Sequence, residues 1–256
     1  MPRFRRYLKA LLIGLAFLAG LAAVSCAFPA AGLCGPRAAQ RIRGRITRHW
    51  YGTLARILNL GIRESGEPMA TVGLTVANHI SWLDIVVLGT QAPFDFIAKR
   101  EVAEWPVVGY LGRRVGTLFV RRGDRDSTLG IAEEMVWRLR QGRRPLLFPE
   151  GTSSSGEGVL RFHARLFQPA VLVQVPVQAV AISYRGEAAR HAPFVGDDEF
   201  LPHLWRLLAL ESIEVDLVFC PPVAPGKFDR AGLAAHTHAQ IAEALGFEGP
   251  ARSLIA

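Results

Sequence analysis

His79 and Asp84 are the two residues of this chain best suited to moving a proton. An imidazole with one ring nitrogen held by a carboxylate is a general base that can take a hydroxyl proton at its other nitrogen. The two stand five residues apart in Asn78-His79-Ile80-Ser81-Trp82-Leu83-Asp84. Along one continuous helix, five residues turn through about 500°, which leaves the side chains roughly 140° apart. They can meet only if His79 lies in the turn before a helix and Asp84 lies inside it. Ser81 suits the N-cap of that helix, with Asp84 at its third residue. The same residues also fit a reading without chemistry. Ser81-x-x-Asp84 is a capping box with Asp in place of Glu, and His79 is then an ordinary histidine bonded to a backbone carbonyl.

The elements that must position this pair follow from the apolar pattern. Thr71–Ala77 is an apolar run of buried-strand type, and it delivers His79 to the strand's C-terminal end, where open α/β sheets hold their sites. After a turn at Glu64–Pro68, strands are expected at 74–77, 94–98, 118–121, 145–148, 176–183 and 213–220. Helices are expected at 81–88, 101–111, 127–140, 162–173, 202–209 and 229–245. The alternation defines an α/β fold, a largely parallel sheet flanked by helices, with residues 61–256 forming one domain.

Other chemistry falls on the same sheet edge. Phe148-Pro149-Glu150-Gly151-Thr152 ends the fourth expected strand, so Glu150 enters a Gly/Ser loop whose N–H groups suit a polar or anionic group. A plain strand-to-loop turn fits this composition equally well. Gly151 and Gly156 are too far apart for the G-x-S-x-G nucleophile elbow. Arg121 and Arg122 close the third strand, with forked cations of the kind that hold phosphate, and Lys99 adds one more cation. His236 and His238 lie two apart and cannot share a helix face, so no metal site is expected. The three cysteines have neither disulfide nor metal spacing.

The N-terminal segment has a different character. Of the chain's 30 lysines and arginines, 11 lie in residues 1–63, which contain no acidic residue. The remaining 19 are outnumbered by the 22 acidic residues, which argues against nucleic acid as a partner. Basic charge beside apolar sequence points to anionic lipid. Residues 10–28 are apolar, and nineteen helical residues rise about 28 Å, close to one hydrocarbon thickness. Pro29, Gly32, Gly35 and Pro36 are expected to break that helix. Residues 37–60 then repeat Ile42, Ile46, Trp50, Leu54 and Leu58 among arginines, the pattern of an amphipathic helix at a lipid surface. Residues 1–60 therefore read as a membrane-associated two-helix segment. It either spans the membrane or dips into one leaflet. A cleavable signal peptide ending near Ser25-Cys26-Ala27 is the competing reading.

Four stretches in order carry a resemblance: Asn78-His79-x-Ser81-Trp82-Leu83-Asp84, Gly116–Arg122, Phe148–Thr152 and Val175-Pro176-Val177-Gln178. Over roughly residues 60–185, the chain resembles the glycerolipid acyltransferase family. The resemblance implies transfer of a fatty acyl group from acyl-CoA or acyl carrier protein, with no other cofactor, to the hydroxyl of a membrane lyso-lipid. It implies His79 as general base and Asp84 as its partner. Arg122, with Arg121, Lys99, Glu150, Gly151 and Thr152, then forms the substrate site. The expected location is the cytoplasmic face of the cell inner membrane.

Three departures from the family pattern stand out. Arg121 replaces a frequent Asp, Ala179 a frequent proline, and Ser153 the arginine typical of phosphate-acceptor members. The first acceptor is expected to be 1-acyl-sn-glycerol-3-phosphate, and the alternative is lyso-ornithine lipid. A non-catalytic lipid-binding protein is the alternative from another class.

Overall fold

The computed structural model describes residues 2–120 and 125–247 of the chain. The N-terminal helix runs as α1 (Pro2–Ala22), a π-helical turn (Ala23–Ala27) and α2 (Phe28–Gly32), followed by α3 (Pro36–Leu58). Next come β1 (Leu60–Gly66), β2 (Leu74–Ala77), α4 (Leu83–Gln91), β3 (Asp95–Lys99), α5 (Arg100–Ala103), α6 (Pro106–Val115) and β4 (Leu118–Val120). The chain continues through α7 (Arg125–Arg140), β5 (Pro145–Leu147), a 3-10 turn (Ala164–Phe167), α8 (Gln168–Val173) and β6 (Val177–Arg185). It finishes with α9 (Glu187–His191), α10 (Phe200–Leu207), β7 (Ile213–Phe219) and α11 (Arg230–Ala244).

The seven strands form one sheet in the order β1-β7-β6-β2-β5-β3-β4. All neighbours are parallel except β6 and β7. The side-chain period of a strand sorts β6 between two cores. Val180, Ile182 and Tyr184 face a layer holding Tyr51 and Leu54 of α3 and Leu83 and Val87 of α4. Val177, Ala179 and Ala181 face Met135 of α7, Phe167 of the 3-10 turn, Ala170 of α8 and Ile241 of α11. Helices on both faces explain why β2 is buried at every residue and reads as an unbroken apolar run.

Helix α1 is docked on this framework. Ile13 and Ala16 belong to the first core, and the buried Lys9 ammonium donates to the carbonyls of Leu58 (3.2 Å) and Leu210 (3.0 Å). The Trp50 indole donates to the Ala16 carbonyl at 2.7 Å. The opposite side of α1 is open: Phe4, Leu11 and Leu18 are 74%, 61% and 62% exposed. Residues 3–32 form a helix long and apolar enough to cross a membrane by length and composition.

Several expectations need correction. Pro29 does not break the N-terminal helix. The π turn directly before it absorbs the missing N–H, and the chain stays helical to Gly32. The break comes at Gly35, whose φ of 85° lies in the left-handed region, and Pro36 starts α3. The expected turn at Glu64–Pro68 is in part strand, since β1 runs to Gly66 along β7 from Leu60 opposite Ile213. Its outer half is polar and exposed, so no apolar run marks it. The expected 101–111 helix is two helices divided at Trp105-Pro106, because the residue before proline is held out of the helical region.

Candidate active site

The β2–α4 turn brings the proposed pair together. His79 lies in the loop and Asp84 in the first turn of α4, with His79 Nδ1 2.8 Å from Asp84 Oδ2. A carboxylate oxygen only accepts, so Nδ1 carries the hydrogen and Nε2 keeps its lone pair. Oδ2 also accepts from the backbone N–H groups of Ile80 (2.8 Å) and Ser81 (2.9 Å), and Oδ1 accepts from the Tyr184 hydroxyl at 2.7 Å. Asp84 is fully buried, and these four donors hold its carboxylate in one orientation.

Ser81 is not the N-cap expected of it. Trp82 occupies that position, and the buried Ser81 hydroxyl has no hydrogen-bond partner. Asp84 instead reaches back to the N–H groups preceding its own helix. Asp84 therefore holds His79 and supplies the carboxylate half of a capping box, while the Ser81 hydroxyl half is not formed.

The loop carrying His79 is fixed from several sides. The buried Asn78 amide bridges to β6, donating to the Ile182 carbonyl (2.9 Å) and accepting from its N–H (2.8 Å). This mimics one more ladder step past the end of β2. The His79 carbonyl accepts from both the N–H (2.8 Å) and the hydroxyl (3.1 Å) of Ser154. The imidazole stacks on Phe148 with ring centroids 4.0 Å apart.

Glu150 stands beside it. Its Oε1 accepts from the His79 N–H at 3.2 Å, while Oε2 is buried without a partner. Burial pushes the Glu150 carboxyl up to about 8, against the opposing pull of the His79 and Leu160 N–H groups. Near neutrality it therefore keeps its proton and can donate. Gly151 follows at φ 75°, and a Cβ there would lie 3.2 Å from the His163 ring.

His79, Glu150, Gly151, Thr152 and Lys99 all line one cavity of about 1480 Å³. Phe17 and Val24 of the N-terminal helix, with Trp50 and Leu54 of α3, form much of its apolar wall. Arg121 and Arg122 lie outside the described residues. Reading the sequence did not single out Tyr184, Ser154, His163, Arg165 or Arg230, although the last three also line the cavity. Tyr184 had one available signal, a hydroxyl near the end of an apolar strand, where a buried O–H needs an acceptor.

A histidine held by a buried carboxylate thus stands at the C-terminal edge of a mostly parallel sheet and opens on a largely apolar cavity. Residues 63–183 match the family described as Acyltransferase. A lyso-ornithine lipid O-acyltransferase of Pseudomonas aeruginosa is 44% identical over 206 residues, 80% of each chain. A 1-acyl-sn-glycerol-3-phosphate acyltransferase of Neisseria gonorrhoeae is 38% identical over 62% of this chain and 64% of that one. The crystal structure of PlsC, the 1-acyl-sn-glycerophosphate acyltransferase of Thermotoga maritima, shares the fold. Its TM-score is 0.70 at 22% identity, covering 96% of this chain and 97% of that one. The chain belongs to the glycerolipid acyltransferase family, and it is an enzyme, an acyltransferase. The non-catalytic reading falls with that membership.

Proposed function

We propose that this enzyme transfers a fatty acyl group from an acyl thioester, acyl-CoA or acyl carrier protein, to the free hydroxyl of a lyso-lipid, with lyso-ornithine lipid as its acceptor. The observation that carries the chemistry is His79, fixed through Nδ1 by Asp84, at a cavity large and apolar enough for a fatty chain. His79 Nε2 takes the acceptor's hydroxyl proton as the oxygen attacks the thioester carbonyl. The C–S bond then breaks, and the leaving thiolate recovers the proton from the imidazolium. The thioester is already activated, so no acyl-enzyme is required. Protonated Glu150, together with N–H groups of the Gly/Ser loop, supplies donors for the oxyanion that forms between these steps.

The acceptor assignment reverses the order expected from family membership alone. Ser153 stands where phosphate-acceptor members have arginine, and its hydroxyl is committed to the Phe194 carbonyl. The Pseudomonas relative, matched over more of both chains than the Neisseria one, is named for lyso-ornithine lipid. Arg165 and Arg230 on the cavity wall favour the second reading, 1-acyl-sn-glycerol-3-phosphate, because a phosphate monoester is best held by convergent cations. In either case residues 1–60 hold the enzyme on the cytoplasmic face of the inner membrane, uncleaved, with the open side of α1 against lipid.

Purified enzyme offered a panel of lyso-lipids should acylate lyso-ornithine lipid, and Ser153→Arg should shift preference toward the phosphate acceptor. A charge-assisted contact is worth about 1.5–3 kcal/mol, roughly 10- to 150-fold in affinity. Exclusive use of 1-acyl-sn-glycerol-3-phosphate by the wild type would reverse the assignment.

A further inference from the structure

Helix α10 has three sides, each marked by residues four apart. His203 and Leu207 are fully buried on the domain. Phe200 and Leu204 line the catalytic cavity. Leu201 and Trp205 face outward, 71% and 38% exposed. Between this outer side and α1 lies a groove of about 480 Å³ whose lining is Ala10, Ile13, Leu201, Pro202, Leu204, Trp205 and Leu208. Every lining residue is apolar apart from the Trp205 indole N–H. Water gains little in such a groove, and exposing it has a hydrophobic cost unless something covers it.

We propose that α10 and the α1–α10 groove form a second lipid-contacting surface of the enzyme, covered by the acyl chains of the bilayer. The proposal rests on the reading that α1 lies against lipid, and it extends that surface onto the catalytic domain. Three observations select lipid over a protein partner. The groove is continuous with the open apolar side of α1, where Leu8, Leu11, Leu12, Leu15 and Leu18 are exposed. Tyr7 and Trp205 meet edge to face at 5.3 Å, and the Arg6 guanidinium sits 5.2 Å over the Trp205 ring. An amphipathic aromatic pair capped by arginine is the composition of a membrane–water boundary. The flanking segment is basic with no acidic residue through position 63, which complements anionic head groups.

The placement has a consequence for the site. The Trp82 indole donates to His203 Nδ1 of α10 at 3.0 Å. The lipid-covered helix is thereby bonded to the loop that carries His79. Because α10 separates the groove from the cavity, a lyso-lipid leaving the bilayer meets the catalytic chamber across Leu204, which lines both.

The test is a depth measurement on the full-length enzyme with Cys26, Cys34 and Cys220 replaced by alanine. A fluorophore is attached through Leu201→Cys and, separately, through Ala239→Cys, an exposed position on α11 in the opposite layer. On phosphatidylethanolamine/phosphatidylglycerol vesicles with chain-brominated lipid, the 201 label should lose most of its emission and become inaccessible to iodide. The 239 label should do the reverse. Leu201→Glu with Trp205→Glu should weaken vesicle partition about tenfold or more, as expected for two side chains withdrawn from lipid, with thermal melting as a check on folding. Equal quenching at 201 and 239 on vesicle-bound enzyme overturns the inference alone. Shielding of the 201 label in detergent by a concentration-dependent dimer overturns it in favour of a second copy. A wild type that stays off vesicles removes the membrane reading of α1 and this inference together.

Discussion

Asparagine at position 84 separates the charge of the pair from its shape. Three donors converge on Asp84 Oδ2, at 2.8, 2.8 and 2.9 Å, while Oδ1 accepts one bond, from Tyr184 at 2.7 Å. An amide has one acceptor oxygen, and that oxygen goes where three N–H groups meet. Its NH2 then points at the Tyr184 oxygen, which can accept. His79 therefore keeps its Nδ1–H tautomer. In the proposed mechanism the loss is the negative charge beside the imidazolium formed when His79 takes the acceptor's proton. For charges about 4 Å apart at an effective dielectric constant near 20, that is about 4 kcal/mol. Asp84→Asn should accordingly lower kcat about 10³-fold. His79→Ala removes the base and should cost about 10²–10⁴. The double variant should be little worse than His79→Ala, because the pair does one job. Initial rates of thiol release at saturating lyso-lipid read all three, with thermal melting as a check on folding. An Asp84→Asn rate within about tenfold of wild type, or losses that multiply, would refute the coupling.

Tyr184→Phe leaves Asp84 Oδ1 without its hydroxyl, and should cost about 1–3 kcal/mol in stability and lower kcat with KM nearly unchanged, measured by denaturation and steady-state kinetics. Glu150 has a folded pKa of about 8, above its ordinary value of 4.5, so the unfolded chain ionises first as pH rises. Wild-type stability should therefore fall between about pH 4.5 and 8 and level off above, a slope that melting curves should show shrinking in Glu150→Gln. Gly151→Ala combines a positive φ with a Cβ 3.2 Å from the His163 ring, and should cost roughly 1–2 kcal/mol in stability together with most of the activity.

What could be read in advance was whatever apolar period and turn chemistry encode locally. The buried strands β2, β5 and β6 are runs of apolar residues, and a strand end followed by Asn-His placed His79 correctly. β1 escaped because Arg63, Glu64 and Ser65 lie on an exposed edge, where only pairing with β7 makes them a strand. Tyr184 escaped for a different reason. It is 100 residues from Asp84, and no local pattern announces a contact that depends on the β6–β2 register. Ser81 was misassigned because cap preference ranks side chains in isolation. Here Asp84 supplies the oxygen that the N–H groups before α4 require, and the serine hydroxyl is left over.

On the proposed membrane reading, the helical N-terminus is the place where anchoring and chemistry stop being separable. An anchor that only tethers would leave the catalytic domain's core complete without it. Ile13 and Ala16 instead lie in the same core as Leu83, Ile182 and Leu217, and Phe17 and Val24 wall the chamber at His79. Gly89 of α4 shows how closely this is fitted, since a Cβ there would collide with the Tyr51 ring of α3. On the proposed function, a fatty chain in this cavity would lie between the sheet-based domain that carries His79 and the N-terminal helices. An apolar chain entering that chamber leaves one apolar medium for another and gains little by transfer alone. On that reading productive binding must come from the polar residues of the cavity, among them Glu150, Lys99 and Thr152. If so, the acceptor is chosen by a few polar residues of the cavity and not by the much larger apolar wall, and Ser153 is the first of them to alter.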